Sequence, residues 1–301
     1  AERKKRGMHK RLYVMGCLSE RFLEALKVEI PEVDGYFGKF DCMRLVNALG
    51  HRPRRSLLDE RTLTTPRHYA FLKIAEGCNR TCSYCAIPLI TGKYKSRHMD
   101  EIVREAQWLA EQGVKELIVI AQDLTYYGTD IYGRQCIAEL VERLADIKGI
   151  EWIRLHYAYP TNFPYDLLRV MRERDNVCKY IDLAFQHISD NMLHLMRRNI
   201  DKQQTMELIR HIRAEVPGIV LRTTLMVGHP GETEQDFGEL LDFMREVKFE
   251  RLGAFAYSEE EGTYAAKHYK DDIPDEIKEK RLGKLMTLQD KICDEIAEKC
   301  I

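Results

Sequence analysis

Residues 78–85 read Cys-Asn-Arg-Thr-Cys-Ser-Tyr-Cys, which places three thiols within eight positions. They follow an apolar run at 69–76 and Gly77, a pattern that predicts a buried strand leading into a short loop. A loop this short can wrap one compact metal centre with all three sulfurs pointing inward. Thiolates are soft ligands that suit zinc, Cu(I) or an iron–sulfur cluster. The stretch therefore predicts a metal-binding loop at the end of a strand.

The number of thiols helps to distinguish a zinc site from an iron–sulfur cluster. A closed structural zinc site takes four protein ligands, and an electron-transfer [4Fe–4S] cluster usually takes four cysteines. No Cys or His lies in the ten residues after Cys85, and His98 is the next His. Three thiolates on a four-iron cube leave one iron open, and we interpret Cys78, Cys82 and Cys85 as ligands of such a cluster. A zinc site completed by a distant residue and ordinary buried cysteines are the alternatives.

The loop resembles the cluster loop of radical S-adenosylmethionine (SAM) enzymes, which has this Cys-x3-Cys-x2-Cys spacing and an aromatic residue before the last Cys. The flanks at 72–80, 86–88 and 96–97 are similar to the methylthiotransferase family. Within it they resemble the branch that modifies an aspartate of a small-subunit ribosomal protein. The resemblance covers nearly the whole chain, and Thr91-Gly92 departs from the Arg-Gly that the family often has.

This resemblance implies a transferase that adds a methylthio group to a ribosomal-protein aspartate, with a [4Fe–4S] cluster and SAM as cofactors. The open iron would chelate the amino and carboxylate groups of SAM. One electron from the cluster would then break a carbon–sulfur bond and give a deoxyadenosyl radical. A flavodoxin or ferredoxin is the implied electron donor. The alternative enzyme is the sister activity on a transfer-RNA adenosine, and a non-catalytic, zinc-stabilised binding module is the alternative of another class.

Composition is consistent with a globular protein in a reducing compartment. The 301 residues are 45% apolar, which is enough for a sizeable core, and the net charge of −1 gives no argument for binding nucleic acid or membranes. Nine cysteines, an odd number with three clustered, favour metal ligation over a disulfide framework. No apolar run is long enough to span a membrane. We therefore expect a cytoplasmic protein, and we expect a fragment because the chain starts at Ala1 inside a domain.

Strand and helix patterns alternate from residue 69 onward. Strands are predicted at 69–76, 116–121, 152–157, 180–185, 219–227 and 251–257, with helices between them. Continuous apolar strands covered by helices predict a parallel sheet with right-handed crossovers. The predicted fold class is α/β, a partial (β/α)6 radical SAM barrel over 69–270, followed by a C-terminal helical extension over 271–301.

The first fifty residues resemble the last part of the family's N-terminal α/β domain, truncated here. A helix at 20–29 with Ser19 as its N-cap is predicted within this remnant, 1–50. By the resemblance, Cys17 matches the third ligand of a second [4Fe–4S] cluster, whose first two cysteine segments are absent. Residues 51–68 have the composition of a linker. The remaining cysteines are interpreted as packing residues: Cys42, Cys136, Cys178, Cys293 and Cys300.

Polar residues follow the predicted strands, where the active sites of α/β barrels lie. By the resemblance, Gln122 and Asp123 lie where radical SAM enzymes hold the methionine amino group of SAM, and Gln186 would bond its ribose. For each, a polar strand end or a capping role is the alternative.

Two further candidates come from the fifth strand. Arg222 is a charge inside an apolar strand and should face a partner, for which the SAM carboxylate is a candidate. The turn from Gly228 to Gly231 resembles the family's glycine turn, where the backbone approaches the adenine or methionine moiety of SAM. His229 stands in this turn where the family usually has Phe, and we interpret it as lining the pocket.

Overall fold

The computed structural model describes residues 2–7, 10–39, 41–51 and 61–299. The described residues form two compact units, one within 1–62 and 87–93 and the other within 63–86 and from 94 onward. Residues 52–60, which are half of the predicted linker, and Cys300 lie outside the described residues. The predicted domain boundaries stay a prediction.

The first unit is a small α/β element with a two-stranded sheet. Its helices and strands, numbered in chain order with those of the second unit, are α1 (Glu2–Lys5), β1 (Tyr13–Met15), α2 (Cys17–Arg21), α3 (Leu23–Glu29), β2 (Gly35–Phe37), α4 (Cys42–Ala48) and α5 (Ile87–Thr91). Strands β1 and β2 pair in parallel. Leu26 and Phe37 are buried in this unit.

The residues of the predicted helix at 20–29 are helical except for Phe22, but the prediction that Ser19 is the N-cap of one continuous helix is wrong. The helix is interrupted at Phe22, whose φ of −118° and ψ of 32° are not helical, so α2 and α3 are separate. Ser19 lies inside α2 and is buried, and its hydroxyl lies within hydrogen-bond distance of the Phe37 carbonyl. Ser19 therefore ties α2 to the end of β2 instead of beginning a helix.

The second unit alternates strands and helices. Its elements are β3 (Tyr69–Lys73), β4 (Ala75–Glu76), β5 (Lys95–Ser96), α6 (Met99–Glu111), β6 (Glu116–Ile120), α7 (Thr129–Tyr132), α8 (Ile137–Ala145), β7 (Trp152–Ala158), α9 (Asp166–Glu173), β8 (Val177–Gln186), α10 (Asp190–Leu195), α11 (Lys202–Glu215), β9 (Val220–Val227), α12 (Glu234–Val247), β10 (Arg251–Ala256), α13 (Tyr264–His268) and α14 (Asp275–Glu298). A 3-10 turn, Leu124–Tyr126, follows β6.

Six strands form one parallel sheet in the order β10-β9-β8-β7-β6-β3. This confirms the predicted α/β fold with a parallel sheet and six βα units. The predicted first strand at 69–76 is divided, because β4 leaves β3 and pairs with β5 in antiparallel orientation. Since all six strands are parallel, their carboxyl ends lie at one edge of the sheet.

Burial alternates along the strands. In β9 the side chains of Leu221, Thr223, Leu225 and Val227 are buried, and the residues between them are half-buried. One face of the sheet therefore packs into the core, and the other is partly accessible. No helix in the described ranges is long and apolar enough to cross a membrane.

Candidate active site

The three cysteines of the loop lie together just after β4. Cys78 is buried, and Cys82 and Cys85 are half-buried. The loop backbone is fixed, because the Ser83 amide donates to the carbonyl of Met196 at 3.1 Å. The structure therefore holds the loop in place near the carboxyl edge of the sheet.

Without a bound metal the Cys78 thiol is protonated at neutral pH. Burial, with smaller contributions from Asp123, Cys82 and Cys85, raises the pKa of the Cys78 thiol to about 11. The thiolate form therefore requires positive charge to be supplied, and metal binding would release the thiol proton.

The donor set fits an iron–sulfur cluster. Within the described ranges, no three His, Cys, Asp or Glu side chains are placed to hold a single metal ion. A single zinc ion draws its sulfurs to about 2.3 Å, whereas a cluster presents separate irons to separate thiolates. Three soft thiolates match iron–sulfur chemistry. The three thiols therefore fit an iron–sulfur cluster by the chemistry of their sulfur atoms.

An arginine that the sequence did not single out lies against the loop. Arg198 is buried, and its Nη1 donates to Cys82 Sγ at 3.1 Å and lies 3.2 Å from the hydroxyl oxygen of Tyr84. Its guanidinium carbon is 4.2 Å from the centre of the Tyr159 ring. In the sequence Arg198 is only the second of two adjacent arginines after α10. Nothing in the sequence indicates that its side chain points inward.

The histidine of the glycine turn also contacts the cluster loop. His229 is fully buried, and its Nε2 lies 3.1 Å from Ser83 Oγ. Its Nδ1 lies 3.0 Å from the carbonyl of Pro230, so Nδ1 carries the proton and Nε2 accepts from the serine. Burial lowers the pKa of His229 to about 4. A neutral histidine therefore links the turn after β9 to the loop.

Gln122 and Asp123 lie in the loop that follows β6. Both are hydrogen-bonded to other residues of this chain. Asp123 is buried and accepts from Arg80 Nε at 2.7 Å and from the Thr125 amide at 2.9 Å. Gln122 donates to a Glu76 carboxylate oxygen at 3.1 Å. Its own Oε1 is buried and has no partner among the described residues. Asp123 thus braces the cluster loop through Arg80, and Gln122 keeps an acceptor for a ligand.

Further unpaired polar atoms follow two other strands. Gln186, at the end of β8, has a φ of 71°. This left-handed backbone conformation costs free energy for any residue other than glycine. Its Oε1 and the hydroxyl of Tyr257, after β10, are buried and have no partner in the described part of the chain. Buried polar groups normally find partners, so each of these atoms is available to bond a ligand or a water molecule.

Arg222 does not lie at this edge. It is the third residue of β9, in the amino half of the strand, and its Nη1 lies 2.7 Å from both carboxylate oxygens of Asp182. It lines a cavity of about 370 Å³ with Arg154 and Tyr180. The partner that a charge in this strand requires is therefore Asp182, and the role toward SAM stays a prediction.

The glycine turn after β9 needs its two glycines. Gly228 and Gly231 have φ values of 74° and 87°. A Cβ on Gly228 would come within 2.4 Å of the Lys278 side chain, and one on Gly231 within 2.7 Å of Leu195. The turn is thus packed from both sides.

Cys17 lies in the first unit. It begins α2 directly after Gly16, and its side chain is exposed. An exposed thiol at a helix start is accessible to a metal centre, and its assignment as a ligand stays a prediction. Cys42, predicted to be a packing residue, is also exposed, whereas Cys136 is buried.

The fold and the cysteine loop define a radical SAM protein. The family described as the Radical SAM superfamily matches residues 72–244, more than half of the chain. The solved structures agree at the level of the fold. The radical S-adenosylmethionine methyltransferase TsrM from Kitasatospora setae, with tryptophan substrate and a SAM analogue bound, gives a TM-score of 0.63 at 16% identity over 83% of this chain and 56% of that chain. Coproporphyrinogen III oxidase (HemN) from Escherichia coli gives 0.54 at 18% identity over 77% of this chain and 54% of that chain.

Sequence relatives are more specific. The chain is 63% identical over 295 residues to ribosomal protein uS12 methylthiotransferase RimO of Parabacteroides distasonis, covering 98% of this chain and 68% of the relative. It is 62% identical to the protein of the same name from Porphyromonas gingivalis, and the match covers 97% of this chain and 67% of the relative. The chain belongs to the family of ribosomal protein uS12 methylthiotransferases.

Proposed function

We propose that this chain is the SAM-binding part of an enzyme that transfers a methylthio group to an aspartate of ribosomal protein uS12. The observation that carries the proposal is the three-thiol loop at the carboxyl edge of a radical SAM sheet. The names of the relatives, at 60–63% identity, support the ribosomal protein as the substrate over transfer RNA.

The proposed roles follow from the positions of the side chains. Cys78, Cys82 and Cys85 hold a [4Fe–4S] cluster and leave one iron for SAM. The cluster and SAM supply one-electron chemistry when bound, and the protein supplies ligation, orientation and exclusion of water. Gln122 and Gln186 offer unpaired buried amide oxygens to the polar groups of SAM.

The remaining parts of the proposal concern a second cluster, the electron donor and the location of the protein. Cys17 is proposed as one ligand of a second [4Fe–4S] cluster. A flavodoxin or ferredoxin is proposed as the electron donor, since reduction of the cluster requires a one-electron carrier. A cytoplasmic location is proposed because free cysteines and an oxygen-sensitive cluster suit a reducing compartment.

A turnover assay tests the function. Protein of full length, reduced with dithionite under anaerobic conditions, is incubated with SAM, inorganic sulfide as the sulfur source and uS12, and the uS12 peptides are analysed by mass spectrometry. We expect methylthiolated aspartate in the wild type and in a Cys42→Ala control, and none in Cys82→Ala, because Cys82 is a proposed cluster ligand. Product on a transfer-RNA adenosine with no product on uS12 would support the alternative enzyme and contradict the proposal.

A further inference from the structure

Arg198 differs from the other strongly buried arginine of the second unit in its partners. Arg281 is paired with the carboxylate of Glu232. Arg198 is 2% exposed and has no carboxylate partner in the described ranges, and its Nε is buried without any partner there. A permanent charge taken out of water is costly unless an opposite charge compensates it. The protein therefore holds a buried cation whose counter-charge must come from elsewhere.

The backbone around Arg198 is built to point it inward. The flanking Arg197 and Asn199 have φ values of 57° and 53°, in the left-handed region. The carbonyl of Arg198 accepts from Thr161 Oγ1 at 2.9 Å and from the Tyr159 hydroxyl at 3.2 Å. Strained residues of this kind persist only where surrounding contacts fix them, and they cluster at functional sites.

Three groups accept from the guanidinium: the Tyr84 hydroxyl, the Ala184 carbonyl and Cys82 Sγ. Of these, only Cys82 Sγ, 3.1 Å from Nη1, can carry a negative charge as a cluster ligand. The core of an oxidised [4Fe–4S] cluster carries less positive charge than three thiolates carry negative charge, so the assembly is anionic. We propose that Arg198 is the counter-cation of the cluster and raises its reduction potential through the bond to Cys82. This inference rests on the proposed cluster at Cys78, Cys82 and Cys85.

The expected effect follows from charge. When the cluster takes up one electron, here from dithionite, the negative charge of the cluster increases. The positive charge of Arg198 is unchanged. The reduced state therefore gains more from the guanidinium than the oxidised state, and cluster potentials depend on net charge and on hydrogen bonds to the sulfurs. If this charge-assisted bond is stronger by about 1.4 kcal/mol in the reduced state, the equilibrium ratio of reduced to oxidised cluster rises about tenfold.

An EPR-monitored redox titration of the full-length protein tests this. To isolate the signal of the SAM-binding cluster, Cys17 is replaced by Ala in every sample. Arg198→Met removes the charge but keeps a long side chain, Arg198→Lys keeps the charge, and Arg197→Met is the matched control from the same turn, where Arg197 lies over the Tyr264 ring. At a fixed potential we expect the ratio of reduced to oxidised cluster to fall about tenfold in Arg198→Met, which is about 59 mV for one electron. We expect Arg198→Lys to recover most of it and Arg197→Met to match the parent.

Iron and sulfide content separate the outcomes. Equal midpoint potentials in loaded parent and Arg198→Met protein would overturn the inference while leaving the proposed function intact. If Arg198→Met loads no cluster, loading in Arg198→Lys supports the need for a charge, and loss in both contradicts it. A parent protein that loads no cluster when reconstituted would instead contradict the proposed function.

Discussion

Single residues connect the glycine turn to the cluster loop. His229, predicted to line the pocket, accepts from Ser83 and contacts the rings of Tyr257 and Tyr269. The sequence predicted its location in the turn. It did not predict the bond to Ser83, because the two residues are 146 positions apart and meet only through the fold.

The buried His229 predicts a pH dependence of stability. Burial lowers its pKa from 6.5 to about 4, so the unfolded chain binds a proton between these values and the folded chain does not. Stability is therefore lost as the pH falls from about 6.5 toward 4, by roughly 2 kcal/mol at pH 5. Denaturant unfolding of the wild type and of His229→Phe at pH 7.5 and pH 5 measures this. The Phe variant should lose less stability between the two pH values, and parallel losses in both proteins would count against the assignment.

At the scale of elements, α14 is joined to the turn after β9 by a buried ion pair. Arg281 of α14 donates to Glu232 Oε2 at 2.6 Å, and Glu232 also accepts from the Gly228 amide at 2.7 Å. His187 Nε2 lies 3.2 Å from the other oxygen of Glu232. The long terminal helix therefore stabilises the turn that faces the site.

Removing the cation of this pair should be costly. Arg281→Met leaves the Glu232 carboxylate buried without its counter-charge, and we expect a loss of about 3 kcal/mol in the free energy of unfolding. Lys291→Met, at an exposed position of the same helix, is the control and should change stability by less than about 0.5 kcal/mol. A loss in Arg281→Met no larger than in the control would show that the pair does not stabilise the fold.

Most elements of the second unit could be predicted because their signals are local. Apolar runs located the six strands, and polar residues after them located the carboxyl edge. The short β4 was not separated from β3, because a change of pairing partner leaves no mark in an apolar run. The partners of Arg222 and Arg198 could not be predicted, since Asp182 and Cys82 are 40 and 116 positions away and depend on register and turn geometry.

At the scale of the whole molecule, one six-stranded sheet gathers the ends of separate segments around a loop of three thiols. The unpaired buried oxygens of Gln122, Gln186 and Tyr257 lie at or just after the carboxyl ends of three different strands. A polar ligand at this edge would satisfy groups that the described protein leaves without partners. In the proposed function that ligand is SAM, bound to the iron that Cys78, Cys82 and Cys85 would leave open.

Electron–nuclear double resonance of the reduced protein with isotopically labelled SAM tests this claim most directly. The sample first needs about four irons and four sulfides at the loop. We predict magnetic coupling of the cluster to labels in both the amino and the carboxylate group of SAM, and loss of this coupling in Cys82→Ala. A loaded cluster with no coupling to either label, and a spectrum unchanged by SAM, would contradict the account.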